Sequence, residues 1–227
     1  MKIDIICPLY NAEKYILNLH NSLLNQKNVN INRIRYILTE STDNTEKVLL
    51  NNRIIYKKIS KSSFSHSLTR EKEAMYSTSD IICFISQDIA IESDNWLENL
   101  VNPIINNEAD ATYSRQLTKY NNIEKYIREY NYPNESIIKT KNDIEKYGLK
   151  TFFFSDASSA IKTDVFKKLN GYDNKNLIIN EDMYLAYKLI MNDYRIKYCS
   201  DSVVYHSHKF KLKDLYKRYK LTGQFFK

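Results

Sequence analysis

The sequence predicts an α/β fold in which a mostly parallel sheet carries helices on both faces. Three observations support it: short apolar runs recur along the chain, segments with apolar residues at helical spacing separate them, and polar residues directly follow several of the runs. Alternation of this kind favours a parallel sheet, because the crossover helices cover its two faces. A length of 227 residues suits one domain with a full core rather than two.

The regular alternation covers residues 1–116. Apolar runs of strand length are bounded by turn residues, and the segments between them repeat apolar residues every three or four positions. We expect strands at Ile3–Cys7, Arg33–Leu38, Arg53–Tyr56, Asp80–Ile85 and Ala109–Tyr113. We expect helices at Ala12–Leu24, Thr45–Leu50 and Ser67–Tyr76, and another after Asp94.

Residues 117–208 are less regular, and residues 209–227 form a basic, aromatic helical segment. A polar helix at Ile123–Tyr130 and an amphipathic segment ending at Tyr147 belong to a variable insertion. We predict one domain, with 1–116 and 117–208 as its two halves. Beyond the insertion we expect strands at Phe152–Phe154, Ser159–Ile161 and Arg195–Tyr205, and helices at Asp164–Leu169 and Glu181–Met191.

Composition narrows the classes of function. The net charge is +7, but the lysines are spread along the chain and no basic-aromatic motif of a nucleic-acid-binding module occurs, so we expect no nucleic-acid partner. No stretch approaches the roughly 20 apolar residues of a membrane span, and the start is unlike a signal peptide, so we expect a cytoplasmic protein. The three cysteines lie in apolar runs, which favours reduced, buried thiols.

Asp88 is the first candidate site residue. It directly follows the apolar run Ile81–Ile85, and ligands of open α/β sheets gather outside the carboxyl ends of the strands. A hard divalent cation on a diphosphate keeps several waters and takes one or two protein carboxylates, so Asp88 is a candidate metal ligand. The residues alone are equally consistent with a cap for the following turn.

Glu181 and Asp182 open an amphipathic helix. Acidic residues at a helix start complement the helix dipole, yet one of two adjacent carboxylates is also free to face a cleft and take a proton from an acceptor hydroxyl. Asp182 is the candidate base, with Glu181 as its substitute. His206 and His208 lie on the same side of an extended segment, where they complete a cation site, hold a diphosphate oxygen or are simply solvent-exposed.

Arg70 lies in a predicted helix, close in sequence to Phe64 and His66. A guanidinium near a helix start binds phosphate bidentately, or it pairs with Glu73 three residues later. The residues by themselves leave both interpretations open.

These groups occur in a specific order along the chain. The ordered segments are Pro8–Asn11; Ser41–Thr45; Phe64–His66 with Arg70; Phe84–Asp88 followed by Trp96-Leu97; Ser158–Ile161; Gly171–Asp173; Glu181-Asp182; and His206–His208. Their order resembles that of the family-two glycosyltransferases, and most closely the bacterial rhamnosyltransferase-like branch. The resemblance covers nearly the whole chain except about Tyr120 to Lys150.

The resemblance implies a GT-A-type α/β fold with a Rossmann-like nucleotide-binding half and an acceptor-binding half. Glu40 corresponds to the acid that contacts the nucleotide base, with Thr39 or Asp43 as alternatives. The nucleotide-binding residues implied as a set are Pro8, Tyr10, Asn11, Glu40, His66, Arg70 and Gln87.

The resemblance also implies a divalent cation, Mn²⁺ or Mg²⁺. Asp88 matches the last acid of the family's Asp-x-Asp motif, whose first acid is replaced here by Ser86, and His206 or His208 matches a C-terminal metal or diphosphate ligand. Asp182 matches the family's base, and Asp156 lies where the acceptor binds.

The implied function is inverting transfer of a sugar from a nucleoside-diphosphate sugar to a glycan or lipid-linked acceptor, in bacterial surface polysaccharide synthesis. A non-catalytic nucleotide-sugar-binding module is the main alternative, because Ser86 replaces an acid. A sugar nucleotidyltransferase is less favoured, because the segment after the first strand is not a Gly-rich, basic loop. The family's chains are often longer, so we expect this one to stop within a longer protein. Residues 209–227 are expected either to contact the inner face of an anionic membrane or to pack on the core.

Overall fold

The predicted α/β architecture is confirmed by the computed structural model, in which residues 1–207 and 212–225 are described. The strands within these ranges form one mixed sheet. They are β1 (Lys2–Leu9), β2 (Asn30–Thr39), β3 (Tyr56–Ile59), β4 (Ile81–Ile85), β5 (Ile89–Ala90), β6 (Ala111–Leu117), β7 (Ile137–Lys139), β8 (Ser158–Lys162) and β9 (Ile196–His206).

The sheet order is β3-β2-β1-β4-β8-β6-β9-β5, and β7 pairs with β9. Strands β3, β2, β1 and β4 are mutually parallel, whereas β8 runs antiparallel to both β4 and β6. Two reversals cancel, so β6 runs in the same direction as β4, and β9 is parallel to β6. The carboxyl ends of β1, β2, β4, β6 and β9 therefore meet at one edge of the sheet, together with the start of β8.

Helices cover both faces of this sheet. Each strand is followed by a segment whose apolar residues repeat at helical spacing and turn inward. The helices are α1 (Ile16–Leu24), α2 (Thr45–Asn51), α3 (His66–Met75), α4 (Trp96–Ile105), α5 (Ile123–Asn131), α6 (Ile144–Tyr147), α7 (Thr163–Lys168), α8 (Glu181–Met191) and α9 (Leu212–Phe225).

The core has two layers, one on each face. Alternate residues of β1 enter different layers: Ile3 and Ile5 pack with α1 and α4, and Ile6 packs with α7 and α8. This division follows from the two-residue period of a strand buried on both sides. Cys7, Cys83 and Cys199 are free and buried, as predicted.

Several predicted boundaries are wrong. Phe152–Phe154 is not a strand, because a 3-10 helix spans Gly148–Phe152 and the chain then runs irregularly into β8. The apolar run was mistaken for a strand because these rings pack on the second core layer from a loop. The strand predicted at Arg53–Tyr56 is instead β3, which begins at Tyr56, since Arg53 has the left-handed φ of 55° that ends α2.

Each half contains a short strand that periodicity did not predict. Strand β7 interrupts the segment expected to be amphipathic, and β5 is a two-residue strand directly after Asp88. Both pair with the long strand β9. Such short strands are formed by their partner strand rather than by their own pattern. Among the described helices, none has the length and apolarity needed to cross a membrane.

We predict that Gly171→Ala lowers the free energy of unfolding by about 2–5 kcal/mol. Gly171 has a φ of +48°, and an added Cβ would lie 2.9 Å from the Phe166 ring and 3.0 Å from Glu71. The left-handed backbone costs about 1–2 kcal/mol for an L-residue, and overpacking adds about 1–3 kcal/mol. Urea unfolding measures the loss.

Gly148→Ala is the matched control. Gly148 has a similar φ of +53°, but no atom lies within 4 Å of its added Cβ, so it should lose only the backbone contribution. Equal losses for the two variants would show that the close contacts at Gly171 relax without cost.

Candidate active site

Two loops at the carboxyl edge are joined by hydrogen bonds. The backbone N–H of Asn11 donates to Ser41 Oγ at 3.0 Å, and Asn11 Oδ1 accepts from the N–H of Thr42 at 2.9 Å. Asn11 adopts a left-handed φ of 49°, a conformation that asparagine tolerates better than most residues. The predicted nucleotide-binding segment Pro8–Asn11 is thus held against the loop that follows β2.

Asp43 completes this junction. One of its oxygens accepts from Thr45 N–H and Oγ1 at 3.0 and 2.5 Å, and the other accepts from Glu13 N–H at 3.1 Å. Burial acts to raise the pKa of Asp43, but the hydrogen bonds from Thr45 and Glu13 outweigh it and bring the pKa below its usual value. The two carboxylate oxygens of Asp43 therefore hold the loop after β1 against the loop after β2.

Gln87 joins the end of β4 to the end of β1. Its Oε1 accepts from Tyr10 N–H at 2.7 Å, and its Nε2 donates to Tyr10 carbonyl oxygen at 2.8 Å. The Gln87 amide thus makes the two hydrogen bonds to the Tyr10 backbone that a residue of a neighbouring strand would make. These bonds fix the loop after Pro8. Sequence reasoning placed Gln87 among nucleotide-binding residues, and the structure shows it supporting Tyr10.

Glu40 lies at the exposed mouth of these loops. Its Oε2 accepts from Lys61 N–H at 3.1 Å, and the Lys61 ammonium lies 5.4 Å from the centroid of the Tyr10 ring. An acid, a cation and an exposed aromatic ring around one opening suit a polar, planar group such as a nucleotide base. The predicted contact of Glu40 with the base stays a prediction.

Asp88 lies beside His206. Ile89 of β5 pairs with His206 of β9, so the preceding carboxylate reaches the imidazole, and Asp88 Oδ1 lies 3.3 Å from His206 Nε2. Two ligand atoms at right angles on one cation, each about 2.1 Å from it, are about 3 Å apart. The pair therefore fits a shared divalent cation, and the predicted metal role of Asp88 stays a prediction. His208, the other histidine of the prediction, lies outside the described residues.

Asp88 and His206 do not form a complete protein cage. Among residues 1–207 and 212–225, no group of three or more His, Cys, Asp or Glu side chains could hold a metal ion. Mg²⁺ and similar hard cations are often held by one or two protein groups together with substrate phosphates and water. The donor set thus fits a cation that binds with a diphosphate.

A second charged group lies at the start of α8. Arg70 is 5% exposed, and its Nη1 donates to the His66 carbonyl oxygen at 3.0 Å and lies 3.4 Å from Glu181 Oε1. The alternative ion pair with Glu73 is wrong, because Glu73 pairs with Lys57 at 2.6 Å. Arg70 pairs with the acidic start of α8, and its predicted contact with a phosphate stays untested.

Asp182 is the half-buried carboxylate of this group. Its Oδ1 accepts from Met183 N–H at 2.8 Å. Burial raises the pKa of Asp182 well above its usual value, the charges of Glu181 and Asp156 raise it further, and Arg70 opposes the shift. A carboxylate with a raised pKa is a stronger base, which is the property a general base needs.

Asp156 lies beneath the same group and is 1% exposed. Its oxygens accept from Ser159 Oγ at 2.8 Å and from Tyr172 Oη at 2.5 Å. Burial raises its pKa, against the charge of Arg70. Both oxygens are thus occupied by the protein, although the acceptor-binding role expected for Asp156 is not tested by this geometry.

His66 opens α3 at the rim of the site. Its ring contacts Phe64 edge-on, with centroids 5.0 Å apart. One edge of the His66 ring is exposed to solvent. Loss of hydration beside the surrounding protein, and then the positive charge of Arg70, lower the pKa of His66 to about 4. His66 is therefore neutral at pH 7 and is able to act as a hydrogen-bond donor or acceptor rather than as a cation.

A cavity of about 270 Å³ connects the two charged groups. Sequence reasoning missed part of its wall, because β6 continues past the predicted end at Tyr113 and carries Gln116 to the strand-end edge. Arg128 comes from α5, inside the predicted variable insertion. The wall includes Gln116, Arg128, Asp182, His206, Leu215 and Tyr219.

Comparisons with known proteins identify the family. The model of glycosyl transferase family 2 matches residues 4–170. The O-antigen chain rhamnosyltransferases WbaN of Salmonella anatum and RfbN of Salmonella typhimurium are each 34% identical to this chain, over 97% and 99% of it and 71% and 72% of their own lengths. The chain belongs to glycosyl transferase family 2, so the predicted family and the predicted class of enzyme, a glycosyltransferase, are confirmed.

Solved structures have the same GT-A fold. S. aureus TarS, in complex with UDP-GlcNAc, superposes with a TM-score of 0.69 at 20% identity and covers 93% of this chain, which spans 60% of that TarS chain. Mannosyltransferase PcManGT of Pyrobaculum calidifontis, in complex with GDP-Man and Mn²⁺, has a TM-score of 0.65 at 15% identity over 89% of this chain and 56% of its own. At these identities the likeness shows the fold alone.

We predict that Gln87→Met weakens nucleotide binding several-fold and lowers the free energy of unfolding by about 1–3 kcal/mol. The variant keeps the length of the side chain but loses both hydrogen bonds to Tyr10, each worth about 0.5–1.5 kcal/mol. Calorimetric titration with a panel of nucleoside diphosphates measures binding, and urea unfolding measures stability.

Gln26→Met is the control for a general loss of stability. Gln26 Nε2 donates to the carbonyl oxygens of Ser22 and Ser93 at 3.0 and 2.9 Å, and its Oε1 accepts from Leu97 N–H at 2.9 Å, away from the carboxyl edge. Gln26→Met should therefore lose at least as much stability as Gln87→Met and bind nucleotide as the wild type does. Equal binding losses in both variants would refute a specific role for Gln87.

Proposed function

We propose that this chain transfers a sugar, with inversion, from a nucleoside-diphosphate sugar to a hydroxyl of a glycan or lipid-linked acceptor. The observation that carries the proposal is that Asp182 and His206, the latter paired with Asp88, line the same cavity. A base for the acceptor and a site for the leaving diphosphate are thus on the walls of one cleft.

The donor nucleotide is held by the two joined loops. The base lies near Glu40, Lys61 and Tyr10, at the mouth formed after β1 and β2. The diphosphate then extends along the carboxyl edge toward Asp88. This path follows the order of the strand ends in the sheet, and it uses the crevice in which open α/β sheets bind ligands.

Asp88 and His206 would hold a divalent cation, Mn²⁺ or Mg²⁺. When bound, this cation would neutralise the negative charge that develops on the leaving diphosphate. The 3.3 Å between Asp88 Oδ1 and His206 Nε2 fits two neighbouring ligands of one cation. The remaining coordination positions would be left to phosphate oxygens and water.

Asp182 acts as the base. The acceptor hydroxyl oxygen forms a bond to the anomeric carbon as the bond from that carbon to the diphosphate oxygen breaks, and the hydroxyl proton passes to the Asp182 carboxylate. Glu181, held by Arg70, and Asp156, held by Tyr172, add negative charge that strengthens this base. One displacement inverts the anomeric centre.

The relatives named O-antigen chain rhamnosyltransferases support a finer proposal. This chain transfers a sugar, with rhamnose as the first candidate, during synthesis of a bacterial surface polysaccharide. We assign selection of the acceptor to the cavity wall that α5 and α9 form. This wall contains none of the family motifs named above, and we place the acceptor against it.

We predict that Asp182→Asn lowers kcat by about 10²–10⁴-fold while nucleotide binding is retained, because the amide keeps the shape and removes the base. The wild-type rate should fall as the pH falls through the raised pKa of Asp182, since the protonated acid cannot accept a proton. Transfer and slow hydrolysis are measured on a panel of nucleotide sugars with Mn²⁺ or Mg²⁺.

The exposed Asp201→Asn is the control for loss of one negative charge, and its activity should match the wild type. No donor consumption by the wild type, with unchanged nucleotide binding in Asp182→Asn, would favour the non-catalytic binding module. Activity that survives EDTA would refute the metal role of Asp88.

We also propose that α9 contacts an anionic membrane surface. Leu215 and Thr222 face the cavity, whereas Tyr216, Lys217 and Lys220 are exposed on the outer side of the helix. Exposed tyrosines among lysines suit the headgroup region of a lipid bilayer. One face of the same helix thus lines the cavity while the other is available to lipid.

We predict that the double variant Lys217→Glu with Lys220→Glu binds vesicles of phosphatidylglycerol roughly tenfold or more weakly than the wild type, since each lysine near such a surface contributes about 1 kcal/mol. Vesicle sedimentation measures the binding. Lys47→Glu with Lys72→Glu makes the same change of net charge at exposed positions on α2 and α3 and should bind like the wild type. Equal losses in both variants would point to net charge alone.

A further inference from the structure

The residues behind His206 determine which of its ring nitrogens carries the hydrogen. Gln116 is 1% exposed and lies between His206 and Arg128. Arg128 Nη1 donates to Gln116 Oε1, and Arg128 Nη2 donates to Glu124 Oε1 at 3.2 Å. A guanidinium has donors but no acceptor, so the amide atom that faces it must be the carbonyl oxygen.

The opposite side of the amide agrees with this orientation. Gln116 Nε2 donates to Ser155 Oγ at 2.8 Å, and this hydroxyl accepts that hydrogen bond without fixing the orientation by itself, since a hydroxyl can also donate. Arg128 on one side and Ser155 on the other therefore hold the amide, with its oxygen toward His206.

The same oxygen lies 3.0 Å from His206 Nδ1. A carbonyl oxygen only accepts, so Nδ1 must carry the hydrogen and donate it. Arg128 Nη2 also lies 3.4 Å from that nitrogen, which is a longer and therefore weaker contact than the 3.0 Å contact to the amide oxygen. If Nδ1 were instead an acceptor, its lone pair would face the lone pairs of the amide oxygen.

We propose that Gln116 and Arg128 are positioning residues that hold His206 with its hydrogen on Nδ1, so that Nε2, 3.3 Å from Asp88 Oδ1, offers its lone pair to the cation that the two side chains share. The inference rests on the proposed function, in which Asp88 and His206 share a divalent cation. Metal-ligating histidines generally donate their other N–H to an oxygen acceptor, and loss of that partner typically costs 10–100-fold in metal affinity.

The fold explains how these residues meet. Strand β6 is parallel to β9, with Gln116 opposite Val204, and His206 is two residues further along β9, so its side chain lies on the same face. Arg128 is supplied by α5 and is held there by Glu124 one turn earlier. The predicted variable insertion therefore provides a support for the metal-binding histidine.

The first test is the tautomer itself. Gln116→Leu removes the acceptor, and Gln116→Glu keeps one. With Mg²⁺ and UDP present, long-range ¹H–¹⁵N NMR of the histidine rings, assigned with His206→Gln, should show Nδ1–H in the wild type and in Gln116→Glu, and a share of Nε2–H in Gln116→Leu. An Nε2–H tautomer in the wild type would overturn the proposal.

The second test is metal affinity. Electron paramagnetic resonance of Mn²⁺, alone and with UDP, should show binding weakened by roughly 10–100-fold in Gln116→Leu and changed only a few-fold in Gln116→Glu. Arg128→Leu frees the amide to turn, so it should also populate Nε2–H, and it serves if Gln116→Leu does not fold. Wild-type tautomer and wild-type Mn²⁺ affinity in a folded Gln116→Leu or Arg128→Leu would refute the proposal.

His206→Ala separates this inference from the proposed metal site. Suppose that His206→Ala binds Mn²⁺ as tightly as the wild type, and that NMR of the wild type shows Nδ1–H on His206. His206 is then not a metal ligand, so the proposed metal site fails while the tautomer assignment stands. If His206→Ala loses affinity and Gln116→Leu does not, the metal site stands and the positioning role fails.

Discussion

A buried cation among carboxylates is the interaction on which the catalytic edge depends. Arg70 pairs with Glu181 at 3.4 Å, and the charges of Asp156 and Asp182 act on it as well. Carboxylates crowded in a buried site repel one another and lose hydration. Arg70 offsets part of both costs, and because it comes from α3 it also ties the start of α8 to the nucleotide-binding half.

The direction of the strands brings the remaining groups to that edge. The antiparallel strand β8 separates two parallel sets, so β4 and β6 point the same way and the carboxylate after β4 meets the histidine at the end of β9. The side chains there mostly support each other. Gln87 holds Tyr10, Asp43 holds the loop after β2, and Gln116 holds His206. Some polar atoms near the edge are buried without a hydrogen bond to the described residues, among them Thr39 Oγ1, Arg70 Nε and Asn180 Nδ2.

Much of the fold followed from periodicity, and the departures have physical causes. Strands β1, β2 and β4 were predicted because continuous apolar runs bounded by polar residues are typical of strands buried on both faces. Phe152–Phe154 was mistaken for a strand because an apolar run in a loop over the core has the same composition. Arg70 was recognised as important, but its partner was not, since Glu181 lies 111 residues away. Local spacing offers Glu73, whereas the fold places Glu181, at the start of α8, beside Arg70.

The sequence by itself determined the α/β class and the family, and it supplied most of the candidate site residues, because strand ends and short motifs are local patterns. Tertiary structure decided which of those residues act together. It placed Asp88 beside His206 through the pairing of β5 with β9, and it added Gln116 and Arg128, for which no local pattern exists. The reason is that a hydrogen-bond partner is chosen by distance in space, and the sheet brings together residues that lie far apart along the chain.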